Sequence, residues 1–257
     1  CLKMKSSEFL PQPSRTRIRA WLYCPEDSFR GLRKTVLFCH GIPGGVPDPK
    51  DRGYLDMVEE LGREGWCSVV FNFRGCGLSG GDIDMQGWHD DLAAVAGKVH
   101  DLPGVDPGDI HCVAFSAGGA VAARFASREK LFKSLLLMAT PDDFGDILPD
   151  DPALLRDHFR GIGVIRDETF PPDLASWHRG FLDLKASRFL PFVSPVPVGI
   201  VHGDRDETVP FAHAHRLYAA ACMPKKITIL EEATHQLRKD PRAIGIIRDW
   251  LRKEASW

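Results

Sequence analysis

The sequence contains no run of 18 apolar residues, so it has no segment that could cross a bilayer as a helix. It also has no block of like charge: its 33 Lys and Arg residues are dispersed among 35 Asp and Glu residues, and the formal net charge is -2. Nucleic-acid and anionic-membrane partners require clustered basic residues. The sequence therefore predicts no nucleic-acid partner and no membrane partner, and it leaves the oligomeric state open.

Cysteine is scarce and unpatterned, with seven residues and no C-x-x-C pair. This spacing favours neither a disulfide framework nor a zinc site, so we expect no metal. Cys39 and Cys112 lie in apolar runs, where a free cysteine behaves as a small hydrophobic residue. Cys76 lies in a glycine-rich turn and is the thiol in which we would look for reactivity. We expect reduced thiols and a cytoplasmic protein.

The length and composition are typical of a globular chain, with 257 residues, 44% of them hydrophobic and 26% charged. One large core can be buried at this length, which favours a single α/β domain over two small ones. The first five residues include no apolar core of signal-peptide length. Because the chain begins with Cys, we expect that residues were trimmed or lost, which leaves open whether a leader was removed.

Short apolar runs of strand length alternate with segments of helical periodicity along most of the chain. A continuous apolar run is typical of a strand that is covered on both faces. The alternation favours βαβ units and therefore a doubly wound, mostly parallel sheet. The predicted strands are 17–23, 35–39, 67–73, 110–115, 134–139, 198–202 and 226–230, and the predicted helices include 49–64, 85–100 and 241–253.

One long segment interrupts the alternation between Pro141 and Pro197. It is too long for a plain connection, so we interpret residues 142–196, approximately, as a small helical cap inserted into the single domain 1–257. Its short helix candidates are 152–160 and 173–184. Apolar and aromatic residues are frequent in it, and they suggest a pocket for a hydrophobic group. The candidate pocket residues are Phe144, Phe159, Trp177 and Phe181.

The predicted strand 110–115 ends at Ser116 and is followed at once by small residues that open a helix. A serine on such a sharp turn projects its hydroxyl out of the fold, and the turn requires small residues two positions before and two after it. Ala114 and Gly118 occupy those positions. The stretch matches a G-x-S-x-G nucleophile elbow in which Ala replaces the first Gly, a signal of moderate specificity on its own.

A serine nucleophile needs a base, and the base needs an orienting group. Sites in open α/β sheets form beyond the carboxyl ends of the strands, so the candidates lie in loops that follow strands. The loop after strand 198–202 contains Asp204 and Asp206, and the loop after strand 226–230 contains His235. One predicted helix and one predicted strand separate Asp206 from His235, which returns the chain to the same edge.

These motifs together resemble the α/β-hydrolase superfamily over essentially the whole chain. Each motif alone is weak, but their order is that of the family, closest to its esterase, lipase and serine-aminopeptidase-like branch. The stretches that carry the resemblance are the elbow around Ser116, the His40-Gly41 loop, Phe73-Arg74-Gly75-Cys76-Gly77-Leu78-Ser79, the Gly203–Pro210 loop and His235.

The resemblance implies a role for each of five residues. Ser116 would be the nucleophile, His235 the general acid and base, and Asp206 the orienting carboxylate. The backbone N–H groups of Ile42 and Ala117 would form the oxyanion hole. The implied activity is hydrolysis of a small-molecule carboxylic ester or other acyl substrate through an acyl-enzyme, with no cofactor.

Several alternatives stay open at this point. Asp204 rivals Asp206, although the D-x-x-V-P spacing of the family fits Asp206. His40 is expected to turn inward and hold the oxyanion loop, His213 is expected to be solvated, and Arg74 is expected to fix its own turn. An aminopeptidase or a thioesterase would use the same residues, and a non-catalytic ligand-binding member of the fold is a further alternative.

Overall fold

The computed structural model describes residues 4–9, 16–26, 31–44 and 50–254, and eight strands in these ranges form one sheet. The strands are β1 (Met4–Phe9), β2 (Arg19–Pro25), β3 (Arg33–Cys39), β4 (Cys67–Asn72), β5 (Val105–Phe115), β6 (Ser134–Met138), β7 (Val198–Gly203) and β8 (Lys225–Leu230). Their order across the sheet is β1-β2-β4-β3-β5-β6-β7-β8. The pairs β1–β2 and β2–β4 are antiparallel and the other neighbours are parallel, which confirms the predicted fold class.

Helices cover both faces of this sheet. They are α1 (Leu55–Arg63), α2 (Met85–His100), α3 (Ala117–Arg128), α4 (Pro152–Gly161), α5 (Leu174–Leu182), α6 (Ala186–Phe189), α7 (Ala212–Ala220) and α8 (Pro241–Glu254). Helices α1 and α8 share one hydrophobic cluster, whereas α2, α3 and α7 contribute to the other. Among the described residues, no helix is both long enough and apolar enough to cross a membrane.

The strands that are covered on both faces agree best with their predicted positions. Every residue of β6 and of β7 is buried, because helices pack on both sides of these parallel strands. Strand β1 was not predicted from the sequence. It is an edge strand with the polar sequence MKSSEF and pairs with β2 alone. The predicted helix 49–64 is shorter in the structure, where α1 begins at Leu55, and its residue 49 lies outside the described residues.

The segment between β6 and β7 contains α4, α5 and the short helix α6. Asp151 and Asp173 are the N-cap residues of α4 and α5, and their carboxylates accept hydrogen bonds from the backbone N–H groups of Ala153 and Ser176. The four aromatic residues predicted to line a pocket pack on one another here. Phe144, Phe159, Trp177 and Phe181 have exposed fractions of 1%, 2%, 6% and 0%.

The expectation of reduced thiols is wrong for one pair of cysteines. Cys24 of β2 and Cys67 of β4 form a disulfide across neighbouring antiparallel strands. Cys39 and Cys112 are free and buried, as expected for small hydrophobic residues. The reactivity considered for Cys76 is contradicted, because the thiol is 2% exposed and burial raises its pKa to about 12. Little thiolate is present at neutral pH with such a pKa.

Candidate active site

Ser116 lies on the turn between β5 and α3 with φ 50° and ψ -129°. A residue other than glycine at positive φ costs about 1–3 kcal/mol and persists only where its surroundings enforce it. Two backbone hydrogen bonds do so here. The Ser116 N–H donates to Met138 O of the neighbouring strand at 2.8 Å, and the Gly119 N–H donates to Ser116 O at 2.8 Å.

The turn also packs tightly against the end of β3. A Cβ atom on Gly118 would collide with the carbonyl oxygen of His40, so the first turn of α3 can approach β3 only with glycine there. Ala114, two residues before the serine, is fully buried. The two small residues singled out in the sequence therefore flank a close approach of backbones, which is the physical reason for a small-x-Ser-x-small pattern.

The side chain of His235 lies between Ser116 and Asp206. Its Nε2 atom is 3.0 Å from Ser116 Oγ, and its Nδ1 atom is 2.7 Å from Asp206 Oδ2. An ionised carboxylate only accepts hydrogen bonds, so the proton on the imidazole belongs to Nδ1. This tautomer leaves Nε2 with a lone pair that faces the serine hydroxyl. The structure thus brings together three residues from loops that follow β5, β7 and β8.

Asp206 is held by more than its histidine. Its side chain is 0% exposed, and its Oδ1 atom accepts hydrogen bonds from the Thr208 N–H at 3.0 Å and from the Val209 N–H at 2.7 Å. Burial favours a raised pKa for Asp206. Hydrogen bonds from His202, His235 and Val209 outweigh burial and hold the pKa well below its usual range. The carboxylate is therefore ionised at neutral pH.

The rival carboxylate, Asp204, makes no contact of this kind. Its buried Oδ1 atom has no hydrogen-bond partner among the described residues. Only its backbone N–H is anchored, by a 3.1 Å hydrogen bond to Leu230 O. The geometry therefore favours Asp206 over Asp204 as the partner of His235, as the D-x-x-V-P spacing predicts.

The loop after β3 lies directly on the serine. A Cβ atom added to Gly41 would be 2.7 Å from Ser116 Cβ and 3.3 Å from Ser116 Oγ, so only glycine fits. His40 fixes this loop from behind, because its Nδ1 atom donates to Gly41 O at 2.7 Å and its Nε2 atom accepts from the Phe73 N–H at 3.0 Å. Burial lowers the pKa of His40 to about 4, which keeps the ring neutral.

This arrangement orients the two predicted oxyanion donors. In a trans peptide the carbonyl and the following N–H point in opposite directions. Since Gly41 O points at the His40 ring, the Ile42 N–H points away from it. Ala117 is the first residue of α3, and its N–H therefore has no acceptor within the helix. The positive end of the α3 dipole lies at the same place and favours negative charge there.

Other predicted residues have structural partners. Arg74 forms an ion pair with Asp91 at 2.7 Å, and Asp91 also accepts from the Arg74 backbone N–H, so the arginine fixes its own turn as expected. The expectation that His213 is solvated is wrong. This ring is 2% exposed, and its Nδ1 atom accepts a hydrogen bond from the Asp142 N–H at 3.1 Å.

The four aromatic residues of the insertion pack against one another. Trp177 and Phe181 are 5.2 Å apart between ring centroids, and Trp177 donates from Nε1 to Ile83 O at 2.8 Å. Burial within this cluster explains their apolar character without a substrate. Contact of any of the four with a substrate stays a prediction.

An arginine that sequence reasoning missed attaches the insertion to the loop after β4. The Arg166 guanidinium donates to the carbonyl oxygens of Ser79 at 2.8 Å and of Gly75 and Gly77 at 3.1 Å. The Arg166 N–H donates to Asp82 Oδ1 at 2.6 Å. A lone arginine in an insertion has no sequence signal that identifies backbone carbonyls as its partners.

A second set of the same three residue types lies where the middle of β5 pairs with the first residue of β6. Ser134 Oγ is 2.7 Å from His111 Nδ1, and His111 Nε2 is 2.9 Å from Asp109 Oδ1. Ser134 is 0% exposed, and its Oγ also accepts a hydrogen bond from Trp250 Nε1 at 3.0 Å. No substrate reaches a serine that is enclosed in this way.

Among the described residues, no group of three or more His, Cys, Asp or Glu side chains is arranged to hold a metal ion. The candidate site therefore consists of a serine, an imidazole, a carboxylate and backbone N–H groups. This set can activate a hydroxyl and stabilise an oxyanion.

A doubly wound sheet with a serine on a strained strand-to-helix turn at its carboxyl edge defines the class of α/β hydrolases. The chain belongs to the alpha/beta hydrolase fold family, whose family model matches residues 34–218. This confirms the resemblance. The matched region includes Ser116 and Asp206, and His235 follows it.

Two comparisons add relatives of known sequence or structure. The uncharacterized protein YfhR of Escherichia coli K12 is 22% identical over 224 residues, which are 86% of this chain and 69% of that protein. The alpha/beta hydrolase GrgF from Penicillium is 17% identical with a TM-score of 0.75 over all of both chains. Est1E from Butyrivibrio proteoclasticus, solved with ferulic acid bound, is 20% identical with a TM-score of 0.74 over 97% of this chain and 100% of that one. The two TM-scores establish that this chain shares the fold of GrgF and of Est1E.

Proposed function

We propose that this protein is a serine hydrolase that cleaves carboxylic esters through an acyl-enzyme on Ser116. The observation that carries the proposal is the hydrogen-bonded line from Ser116 Oγ to His235 Nε2 at 3.0 Å and from His235 Nδ1 to Asp206 Oδ2 at 2.7 Å. A hydroxyl is a weak nucleophile until an oriented base accepts its proton. The line supplies both the base and the group that orients it.

In the first half of the proposed reaction, Ser116 Oγ forms a bond to the acyl carbon while its proton passes to His235 Nε2. The substrate carbonyl becomes an oxyanion that accepts hydrogen bonds from the Ile42 and Ala117 N–H groups. Each such donor contributes about 3 kcal/mol to the stability of the transition state in other acyl-transfer enzymes. Collapse breaks the ester C–O bond, and the alcohol leaves with the proton from His235.

In the second half, His235 removes a proton from water, whose oxygen attacks the acyl carbon. The Ser116 oxygen then leaves as a hydroxyl and the carboxylic acid is released. Asp206 stays ionised throughout, because it stabilises the imidazolium without taking its proton. The proposed chemistry requires neither a metal nor an organic cofactor.

We also propose that the insertion between β6 and β7 acts as a cap beside this site. Arg166 supports the proposal, since it binds the insertion to the carbonyl oxygens of the loop that follows the carboxyl end of β4. Trp177 adds a second link from α5 to Ile83 O in the same region. The aromatic content of the insertion is consistent with a hydrophobic acyl or alcohol group in the substrate.

A substrate panel tests the choice of ester over other acyl compounds. We expect p-nitrophenyl acetate to show a larger kcat/KM than an alkyl thioester of the same acyl group or an aminoacyl p-nitroanilide, because p-nitrophenolate is a weaker base than an alkyl thiolate and, unlike an anilide nitrogen, can leave without a proton from His235. Higher activity on the anilide or on the thioester would make the protein an aminopeptidase or a thioesterase. A fluorophosphonate probe that fails to label Ser116 in the native protein would indicate a non-catalytic member of the fold.

Ester hydrolysis is expected to fall as the pH is lowered from 8 to 5. The proposed mechanism needs a neutral imidazole at His235, because an imidazolium cannot accept the serine proton. The lowered pKa of Asp206 keeps that carboxylate ionised over the whole range, so protonation of Asp206 does not contribute to the decline. Measured kcat/KM should follow a one-proton curve. A flat profile between pH 8 and 5 would contradict the role of His235 as the base.

A further inference from the structure

The carboxylate of Asp206 has a second imidazole partner, His202, which is fully buried at the carboxyl end of β7. His202 Nε2 is 2.8 Å from Val209 O and 3.2 Å from Asp206 Oδ2. The other ring nitrogen, Nδ1, is buried without a hydrogen-bond partner among the described residues. The two nitrogens of this ring are therefore in very different environments.

This difference fixes where the His202 proton resides. A proton on Nδ1 would be a buried donor with no acceptor among the described residues, and leaving such a donor unpaired is costly. A proton on Nε2 has two acceptors, the carbonyl of Val209 and the carboxylate of Asp206. His202 is therefore an Nε2–H tautomer, whose proton is hydrogen-bonded to Val209 O at 2.8 Å and lies beside Asp206 Oδ2 at 3.2 Å.

The contacts divide the two oxygens of the carboxylate between backbone and side chains. Oδ1 accepts hydrogen bonds from the N–H groups of Thr208 and Val209, which hold the carboxylate in its loop. Oδ2 faces the two imidazoles, with His235 at 2.7 Å and His202 at 3.2 Å. Both imidazole rings therefore lie beside the same negatively charged oxygen.

We propose that His202 is a positioning residue that acts through Asp206 to set the proton affinity of the candidate base, His235. The inference rests on the proposed function. Because its Nε2–H lies 3.2 Å from Oδ2, His202 limits the negative charge that this oxygen offers to the imidazolium of His235, and it helps to hold Oδ2 in place beside His235. Hydrogen bonding to the charged form of a carboxylate reduces its proton affinity, and the His202 hydrogen bond is one of those that lower the pKa of Asp206.

The other ionisable groups around His202 do not reproduce this effect. His213 of α7 is close enough for its charge to matter, but burial lowers its pKa, with Arg216 acting in the same direction, which favours the neutral ring. Asp204 lies two residues along the chain, and its Oδ1 atom makes no hydrogen bond to His202 or to any other described residue. The charged groups next to His213 are Asp142, Asp146 and Arg216.

Substitutions of His202 whose side chains differ in length and in hydrogen-bond donors distinguish a positioning role from a role in packing alone. His202→Gln retains an N–H donor near the position of Nε2, whereas His202→Asn has the same amide one methylene too short. His202→Met removes the donor and nearly preserves the volume. We expect the Asn and Met variants to lower kcat for p-nitrophenyl acetate about tenfold, as befits the loss of one hydrogen bond to a charged group. The Gln variant should retain most of the wild-type kcat.

The pH profile is the readout that packing alone would leave unchanged. Without the His202 donor, Oδ2 holds the His235 imidazolium more strongly, so the acidic limb of kcat/KM should move to higher pH by about half a unit in the Asn and Met variants. The Gln variant should keep the wild-type limb. An active wild-type protein whose limb is the same in all three variants would overturn the inference, even if kcat falls. A wild-type protein that is inactive on every ester would overturn the proposed function and the inference with it.

A measurement on the wild-type protein covers the case in which the variants do not fold. The ¹⁵N chemical shifts of the His202 ring, assigned through its backbone, should report a protonated Nε2 and an unprotonated Nδ1. A proton on Nδ1 would break the link to Asp206 and overturn the inference.

Discussion

Ser116→Ala is expected to abolish ester hydrolysis, with a fall in kcat on the order of 10⁵–10⁶. The substitution removes the oxygen that forms the acyl-enzyme and leaves His235 facing a methyl group. Binding and the oxyanion donors remain, so a small residual rate above that of water is expected. The measurement is kcat for p-nitrophenyl acetate on protein whose melting temperature matches that of the wild type.

Ser134→Ala is the matched control for this experiment. Ser134 has the same neighbours by residue type, a histidine at 2.7 Å and then an aspartate, but it is buried and hydrogen-bonded to Trp250. Its loss should lower stability, since it leaves the Trp250 N–H without its acceptor, and should leave kcat unchanged. Turnover that survives Ser116→Ala in clean protein would show that another group is the nucleophile.

Asp206→Asn is expected to lower kcat about 10⁴-fold, as the equivalent change does in a serine protease triad. The amide group would donate to His235 Nδ1, which places the imidazole proton on Nε2. That nitrogen could then no longer accept the serine proton. The shape of the site would change little, so KM for p-nitrophenyl acetate should be nearly unchanged.

Asp204→Asn distinguishes this tautomer effect from a general loss of negative charge in the loop. Each substitution removes one negative charge from the same loop, at positions two residues apart. Of the two carboxylates, Asp206 is the one hydrogen-bonded to His235. We expect Asp204→Asn to retain activity within about threefold of the wild type, in the range of a substitution outside the reacting groups. A larger loss from Asp204→Asn than from Asp206→Asn would reverse the assignment of the orienting carboxylate.

The part of the fold that could be predicted is the part whose strands are buried on both faces. Residues 134–139 and 198–202 read as continuous apolar runs because helices cover both sides of a parallel sheet. Strand β1 offers no such signal. Its residues are largely polar, and it exists as a strand because β2 supplies the hydrogen-bond partners along one edge. Pairing with an edge is a tertiary effect that local sequence does not encode.

The candidate site also contains residues that the sequence predicts and one that it does not. Ser116, Asp206 and His235 are recognisable because each follows a strand, and strand ends converge at one edge of the sheet. His202 precedes its loop by one residue, so its position in an apolar strand indicates a core residue. Its role depends on Val209 folding back to accept its proton, and that turn cannot be derived from spacing alone.

The error about the thiols also has a physical cause. Cys24 and Cys67 are 43 residues apart, and only the antiparallel register of β2 against β4 brings them face to face. The aromatic residues of the insertion satisfied two hypotheses equally well, since a pocket and a small hydrophobic core have the same composition. The rings pack on one another, and their contact with a substrate stays a prediction.

The attachment made by Arg166 has a consequence for protein engineering. The carbonyl oxygens of Gly75, Gly77 and Ser79 receive hydrogen bonds from Arg166, which lies between 87 and 91 residues further along the chain. A chimera that exchanges residues 142–196 for those of another hydrolase would leave these acceptors without their donor. The loop after β4 and the insertion therefore form one transferable module, and grafting either part requires the other.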